Sequence, residues 1–244
     1  MYSKPRVIPV LAFIDDDLVK TEKYNKPRYL GDPVNAVKIF NGKYVDELVI
    51  CDIRASLNNT PINFKLLKDI ASQAFMPLGY GGGIRSFDDA KKLFKIGYEK
   101  VIFSTELYNN TNLIKECVNY AGSQSVVASI DVKKHRDKYK VYIKSGTKEV
   151  SNDLKGYIIR AVNLGVGEVI INSIDREGQM TGYDIDLIKQ ATVGLDLPLV
   201  IQGGAGKREH FVEALNAGAH AVAAGSMFVY FGPKKAVLIT FTNL

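Results

Sequence analysis

Three aspartates, Asp52, Asp131 and Asp175, follow short apolar runs, and hydroxyls close similar runs at Ser104, Thr105, Ser173 and Ser226. A carboxylate at the end of an apolar strand is placed to move protons as a general acid or base. Asp131 is the leading candidate, ending Val127-Ala128-Ser129-Ile130-Asp131. The plainer use of that carboxylate is to cap a loop or to pair with Lys133 or Lys134. Two glycine turns add a second chemistry. Gly81-Gly82-Gly83-Ile84 is answered 122 residues later by Gly203-Gly204-Ala205-Gly206. Each follows an apolar run and precedes a helix-like stretch, so backbone N–H groups and a helix start converge on an anion. Two such turns at one period suggest a duplicated scaffold that grips two phosphates.

The remaining polar candidates are weaker. His135, His210 and His220 read as surface residues, and no His/Cys/Asp spacing supports a metal site. Cys51 and Cys117 form no C-x-x-C pattern and read as buried reduced thiols. Lys20 lies in a polar stretch from Asp15 to Asp32 that reads as a long loop, either a lid or an ordinary solvated turn.

These residues need a frame. Eight β-like runs span Arg6–Phe13, Asp46–Asp52, Met76–Tyr80, Lys100–Ser104, Ser125–Asp131, Glu168–Asn172, Pro198–Gln202 and Ala221–Gly225. Most are continuously apolar, as parallel strands covered on both faces are. Helix-period segments alternate with them: 33–41, 64–74, 87–96, 110–120, 154–164, 185–192 and 208–217. Eight β-then-α units predict a closed (β/α)8 TIM barrel of the α/β class, one domain over residues 1–244. Other pairs repeat near the same offset: Asp52 with Asp175 at 123, and Ser104-Thr105 with Gly225-Ser226 at 121. The offset predicts two fused half-barrels. Lys133–Val150 alternates polar and apolar residues around Gly146 and reads as a β-hairpin. The tail Lys234–Leu244 is β-branched where the eighth helix belongs.

The chain has 244 residues, 46% hydrophobic and 24% charged, with a net charge of +6. That charge suits a phosphorylated substrate or an acidic partner. No Lys/Arg cluster is interleaved with aromatics, which argues against nucleic acid. No apolar run nears the ~18 residues of a membrane span, and Met1–Val10 lacks a signal core, so a cytoplasmic protein is expected.

The motifs Arg6-Val7-Ile8-Pro9, Gly31-Asp32-Pro33, Asp46-Glu47-Leu48, Asp52-Ile53, Gly81-Gly82-Gly83-Ile84-Arg85-Ser86, Gly122-Ser123-Gln124-Ser125, Ala128-Ser129-Ile130-Asp131 and Gly203-Gly204-Ala205-Gly206-Lys207 together resemble the cyclase subunit of imidazole glycerol phosphate synthase, the HisF family. The resemblance runs from about Arg6 to Phe228. It implies a lyase that partners a HisH-like glutaminase as a heterodimer. Ammonia from that partner would cross the barrel and react with a bisphosphorylated ribulosyl-formimino nucleotide. The products would be imidazole glycerol phosphate and an aminoimidazole carboxamide ribotide, and no cofactor is implied. The resemblance places the phosphates at Gly82, Gly83, Ser104 and Thr105, and at Gly178, Gly204 and Ser226. It closes the Lys20 loop over substrate. It makes Arg6, Glu47, Lys100 and Glu168 an ammonia gate at the N-terminal end of the barrel; a stabilising ion-pair network is the other reading of the same four.

One departure matters most. The family uses two catalytic aspartates, at the ends of strands one and five. Asp131 supplies the second, while Ala12 stands at the position of the first. Asp15, Asp16 and Asp17 lie three to five residues further on. Glu177 replaces a usual Asp. A non-cyclising, ammonia-conducting barrel that serves a sugar amidotransferase in surface-polysaccharide synthesis is therefore the alternative. A related sugar-phosphate isomerase shares the fold and the phosphate turns, but Asp46-Glu47-Leu48 and Gly122-Ser123-Gln124 look closer to the cyclase.

Overall fold

Apolar residues recur at every strand position predicted, and the strands they form close on themselves. The structure, a computed structural model, describes residues 5–244. Eight parallel strands make the barrel: β1 (Arg6–Ile14), β4 (Leu48–Asp52), β5 (Leu78–Gly81), β6 (Lys100–Phe103), β7 (Val126–His135), β10 (Glu168–Ser173), β11 (Leu199–Gln202) and β12 (Ala221–Ala224). Neighbours pair in that order, and β12 returns to β1. The two halves join through β6 and β7, in register from Val101 opposite Val126 to Phe103 opposite Ala128, and through β12 and β1, from Arg6 opposite Ala221 to Pro9 opposite Ala224. Each barrel strand is a short, largely buried run, because helices cover the outer face and side chains fill the inner one.

Local signals fix the helix starts. Asp32 accepts from the Asn35 N–H, and Pro33 opens the first helix, Pro33–Asn41. Ser86 and Asp89 form a capping box at Phe87–Ile96. Asp184 caps Ile185–Thr192. The outer core is the large cluster between helices and strands, including Phe40, Leu67, Tyr80, Leu93, Phe103 and Phe211. The inner core is small and branched: Ile8, Val10, Val49, Ile102, Val127, Ile170, Val200, Ala221 and Ala223.

Two segments differ from the sequence reading. The stretch read as a polar loop from Asp15 to Asp32 is a β-hairpin, β2 (Asp17–Glu22) and β3 (Asn25–Gly31), with β2 antiparallel to β1. Leu18, Val19 and Thr21 are buried, which supplies the apolar face a solvated loop would lack. The Lys133–Val150 hairpin is a three-stranded meander. β7 runs on to His135 and pairs with β8 (Lys138–Ile143), which pairs with β9 (Lys148–Ser151). The eighth helix is reduced to Ser226–Val229. The tail after it folds back, with Leu238 N–H donating to Val229 O and Phe241 stacking on Phe228.

Candidate active site

Strand alternation sorts the inward residues into layers. On β1, Arg6, Ile8, Val10 and Ala12 fall on one face, and on β10 Glu168, Ile170 and Asn172 do the same. The lowest layer is charged, the middle is apolar, and the top opens into a cleft of about 590 Å3 at the C-terminal ends of the strands. Asp131, Asn172, Ser104, Cys51 and Ala12 all line it.

Asp131 sits at the centre of a small hydrogen-bond network. Tyr24, from the turn between β2 and β3, donates its hydroxyl to Asp131 Oδ1 at 2.5 Å. Asn172, the register partner of Asp131, donates Nδ2 to the Tyr24 oxygen and, at 3.4 Å, to Asp131 Oδ1. Ser104 Oγ donates to Oδ2 at 3.4 Å. Burial pushes the Asp131 carboxyl up to about 6, against the pull of these three donors. Burial and the Asp131 charge together hold the Tyr24 hydroxyl well above its ordinary range. A carboxyl poised near neutrality can exchange a proton at working pH.

Two cradles flank this centre. Gly82 has φ +117° and Gly204 has φ +116°, matching conformations 122 residues apart. Added Cβ atoms would lie 2.3 Å from Asp52 O and 2.1 Å from Gly182 O, so both turns demand glycine. Thr105, Gly178 and Ser226 also line the cleft. The Ser226 hydroxyl is buried without a hydrogen-bond partner among the described residues. Lys20 passes over Gly225 and pairs with Glu177.

The charged layer at the base is a closed cycle. Arg6 bonds both Glu47 and Glu168, and Lys100 bonds Glu47 at 2.8 Å and Glu168 at 3.1 Å. Both carboxylates are buried. Burial works against the Arg6 charge, yet Glu168 and Glu47 hold its pKa above the ordinary value.

Residues 6–233 match the family described as histidine biosynthesis protein. The chain belongs to that family. A Leptospira borgpetersenii family member, provisionally named imidazole glycerol phosphate synthase subunit HisF, is 44% identical over 243 residues, which cover 98% of this chain and 96% of that protein. A Pseudomonas aeruginosa protein, provisionally named subunit hisF2, is 40% identical over 241 residues, 98% and 96% of the two chains. The Streptococcus mutans imidazole glycerol phosphate synthase subunit HisF is 38% identical over 211 residues, 86% and 84% of the two.

Within this family barrel, Asp131, Gly82, Gly83, Ser104, Thr105, Gly178, Gly204, Ser226 and Lys20 gather around one cleft, while Arg6, Glu47, Lys100 and Glu168 gather at the opposite end. Other candidates serve the backbone. Asp52 accepts from the N–H groups of Arg54 and Ala55, and Asp175 from that of Lys134. Ser173 is buried and does not line the cleft. Asp15, Asp16 and Asp17 are exposed, and Asp16 bonds Asn63, so none of them reaches the place of Ala12. His210, read as a surface residue, is buried: its Nδ1 accepts the Gly206 N–H. Two cleft residues escaped the sequence reading. Asn172 was open to discovery, since it lies two positions beyond Ile170 on an inward-facing row. Tyr24 carried no signal, being one aromatic in a polar turn.

Proposed function

We propose that this chain is the barrel subunit of a HisF-type glutamine amidotransferase complex. It takes ammonia at its base and uses it at the mouth to form imidazole glycerol phosphate and an aminoimidazole carboxamide ribotide, with Asp131 as the acid–base group. The observation that carries this is one barrel axis equipped at both ends. A neutral ring of two cations and two carboxylates closes the base, and a carboxyl poised near pH 6 shares the mouth with two glycine turns.

The apolar layer between them supports the direction of travel. Burying an ammonium ion there would cost its hydration, whereas neutral ammonia crosses at far lower cost. A HisH-like glutaminase would dock on the base. Tyr44 and Phe75 precede β4 and β5 at that end and are 89% and 88% exposed, an apolar surface suited to a partner. A bisphosphorylated substrate would span Gly82–Gly83 with Ser104 and Thr105, and Gly178–Gly204 with Ser226. Lys20 and its hairpin would close over it.

Ala12 favours a second reading, in which the barrel passes ammonia to another enzyme, a sugar amidotransferase in surface-polysaccharide synthesis, without cyclising. The missing carboxylate costs about 10²–10⁴-fold in rate for a general acid or base. The test is cyclisation of the ribulosyl-formimino nucleotide driven by ammonium salt, for the natural protein and for Ala12→Asp. Turnover by the natural protein, enhanced in Ala12→Asp, upholds cyclisation. Absence of turnover in both upholds the conduit.

A further inference from the structure

Of the three side chains that donate to Asp131, Ser104 and Asn172 belong to the barrel strands and their ends, and Tyr24 comes from the β2–β3 hairpin. Glu177 binds down the hairpin tip, beside the Lys235–Glu22 ion pair. The buried Glu177 carboxylate accepts from Lys20 Nζ, from the Thr21 hydroxyl at 3.1 Å and from the Tyr24 N–H at 3.1 Å. The Glu177 carbonyl accepts the Lys23 N–H at 3.0 Å. Lys23, Tyr24 and Lys26 all have positive φ, a backbone that persists only where its surroundings enforce it. Four contacts to one residue provide that enforcement. They also fix where the Tyr24 hydroxyl points.

We propose that Tyr24 is a positioning residue of the reaction centre: the Glu177-latched hairpin delivers its hydroxyl to Asp131 Oδ1, leaving Oδ2 to face the substrate. The proposal rests on the reading of Asp131 as the acid–base group. Tyr24 lines the same cleft as Ala12 and its register partner Cys51. The hydroxyl thus enters the mouth beside the row where the strand-one carboxylate is missing. Its hydrogen bond favours the ionised form of Asp131 and opposes the effect of burial. Asp131 Oδ2 would then accept a proton from the nitrogen that has added to the substrate, and Tyr24 would keep its own. The other titratable groups that act on or feel Asp131 are Lys133 on β7, Cys51 on β4 and Tyr157 on the helix Leu154–Asn163. Burial pushes Cys51 and Tyr157 up to about 12, so both stay neutral while Asp131 titrates.

Tyr24→Phe keeps the ring and removes the hydroxyl. Carboxyl-carbon NMR should show the Asp131 titration midpoint moving to higher pH, its ionisation constant falling about tenfold, the size of one charge-assisted hydrogen bond. Glu177→Gln, which keeps Tyr24 but weakens the latch, should move the midpoint the same way by less. Ammonium-driven cyclisation should lose about tenfold in kcat with KM little changed, and its acidic limb should follow the NMR midpoint. An Asp131 midpoint unmoved in Tyr24→Phe overturns the proposal. Turnover in Tyr24→Phe equal to the natural protein overturns it while leaving the role of Asp131 standing. If the natural protein turns nothing over, the cyclase reading fails, and the NMR midpoint alone decides the place of Tyr24.

Discussion

Glu47 and Lys100 meet at 2.8 and 3.0 Å across the base of the barrel, although 53 residues separate them in the chain. Lys100 also reaches Glu168, and Arg6 reaches both carboxylates, so each buried Glu is held by two cations. Lys100→Met leaves two buried carboxylates to share Arg6. We expect a loss of about 3 kcal/mol of stability, the scale for breaking one side of a buried ion pair, read from the urea midpoint. If the ring also gates ammonia, glutamine-driven turnover with the partner present should change more than ammonium-driven turnover. Equal changes in both would assign the ring to stability alone.

Asp131 makes stability depend on pH in a stated direction. Its carboxyl is raised in the folded protein to about 6, so the folded state binds the proton more tightly than the unfolded chain does. The resulting destabilisation is absent below about pH 4, grows as pH rises to 6, and is complete above that. For a buried group shifted by about two pH units its size is about 3 kcal/mol. Asp131→Asn should therefore be more stable than the natural protein at pH 8, with the gain vanishing towards pH 4. Urea unfolding at both pH values checks this. A larger gain at pH 4 than at pH 8 would contradict it.

Gly204→Ala tests the second cradle. The added methyl would sit 2.1 Å from Gly182 O, in a segment already joined by the Gly182 N–H to Gly204 O hydrogen bond of 2.8 Å. With φ at +116° the strain costs about 1–3 kcal/mol. Inorganic phosphate should raise the melting temperature of the natural protein by binding the folded state, and Gly204→Ala should lose part of that rise. Gly82→Ala should behave alike at the first cradle.

Much of this architecture was legible because parallel strands buried on both faces become apolar runs, and because Asp32-Pro33 and Ser86 through Asp89 mark helix starts chemically. The charged layer was legible through family motifs: Arg6, Glu47, Lys100 and Glu168 are far apart in sequence, and only barrel closure joins them. The β2–β3 hairpin was not legible. Its β3 strand is exposed, carries Pro27, and pairs with β2 through register shifts, so the period-2 signal is broken. His210 was misread because a histidine in the first turn of a helix gives no hint that the preceding glycine loop supplies its donor. Tyr24 depends on contacts to Glu177, 153 residues away, which no local pattern encodes.

The most direct measurement is ammonium-driven turnover of the ribulosyl-formimino nucleotide by the natural protein and by Asp131→Asn across pH 5 to 9. A HisF-type cyclase with Asp131 as its acid–base group predicts turnover with an acidic limb near pH 6, falling about 10²–10⁴-fold in Asp131→Asn. No turnover by the natural protein, or turnover that Asp131→Asn leaves unchanged, contradicts it.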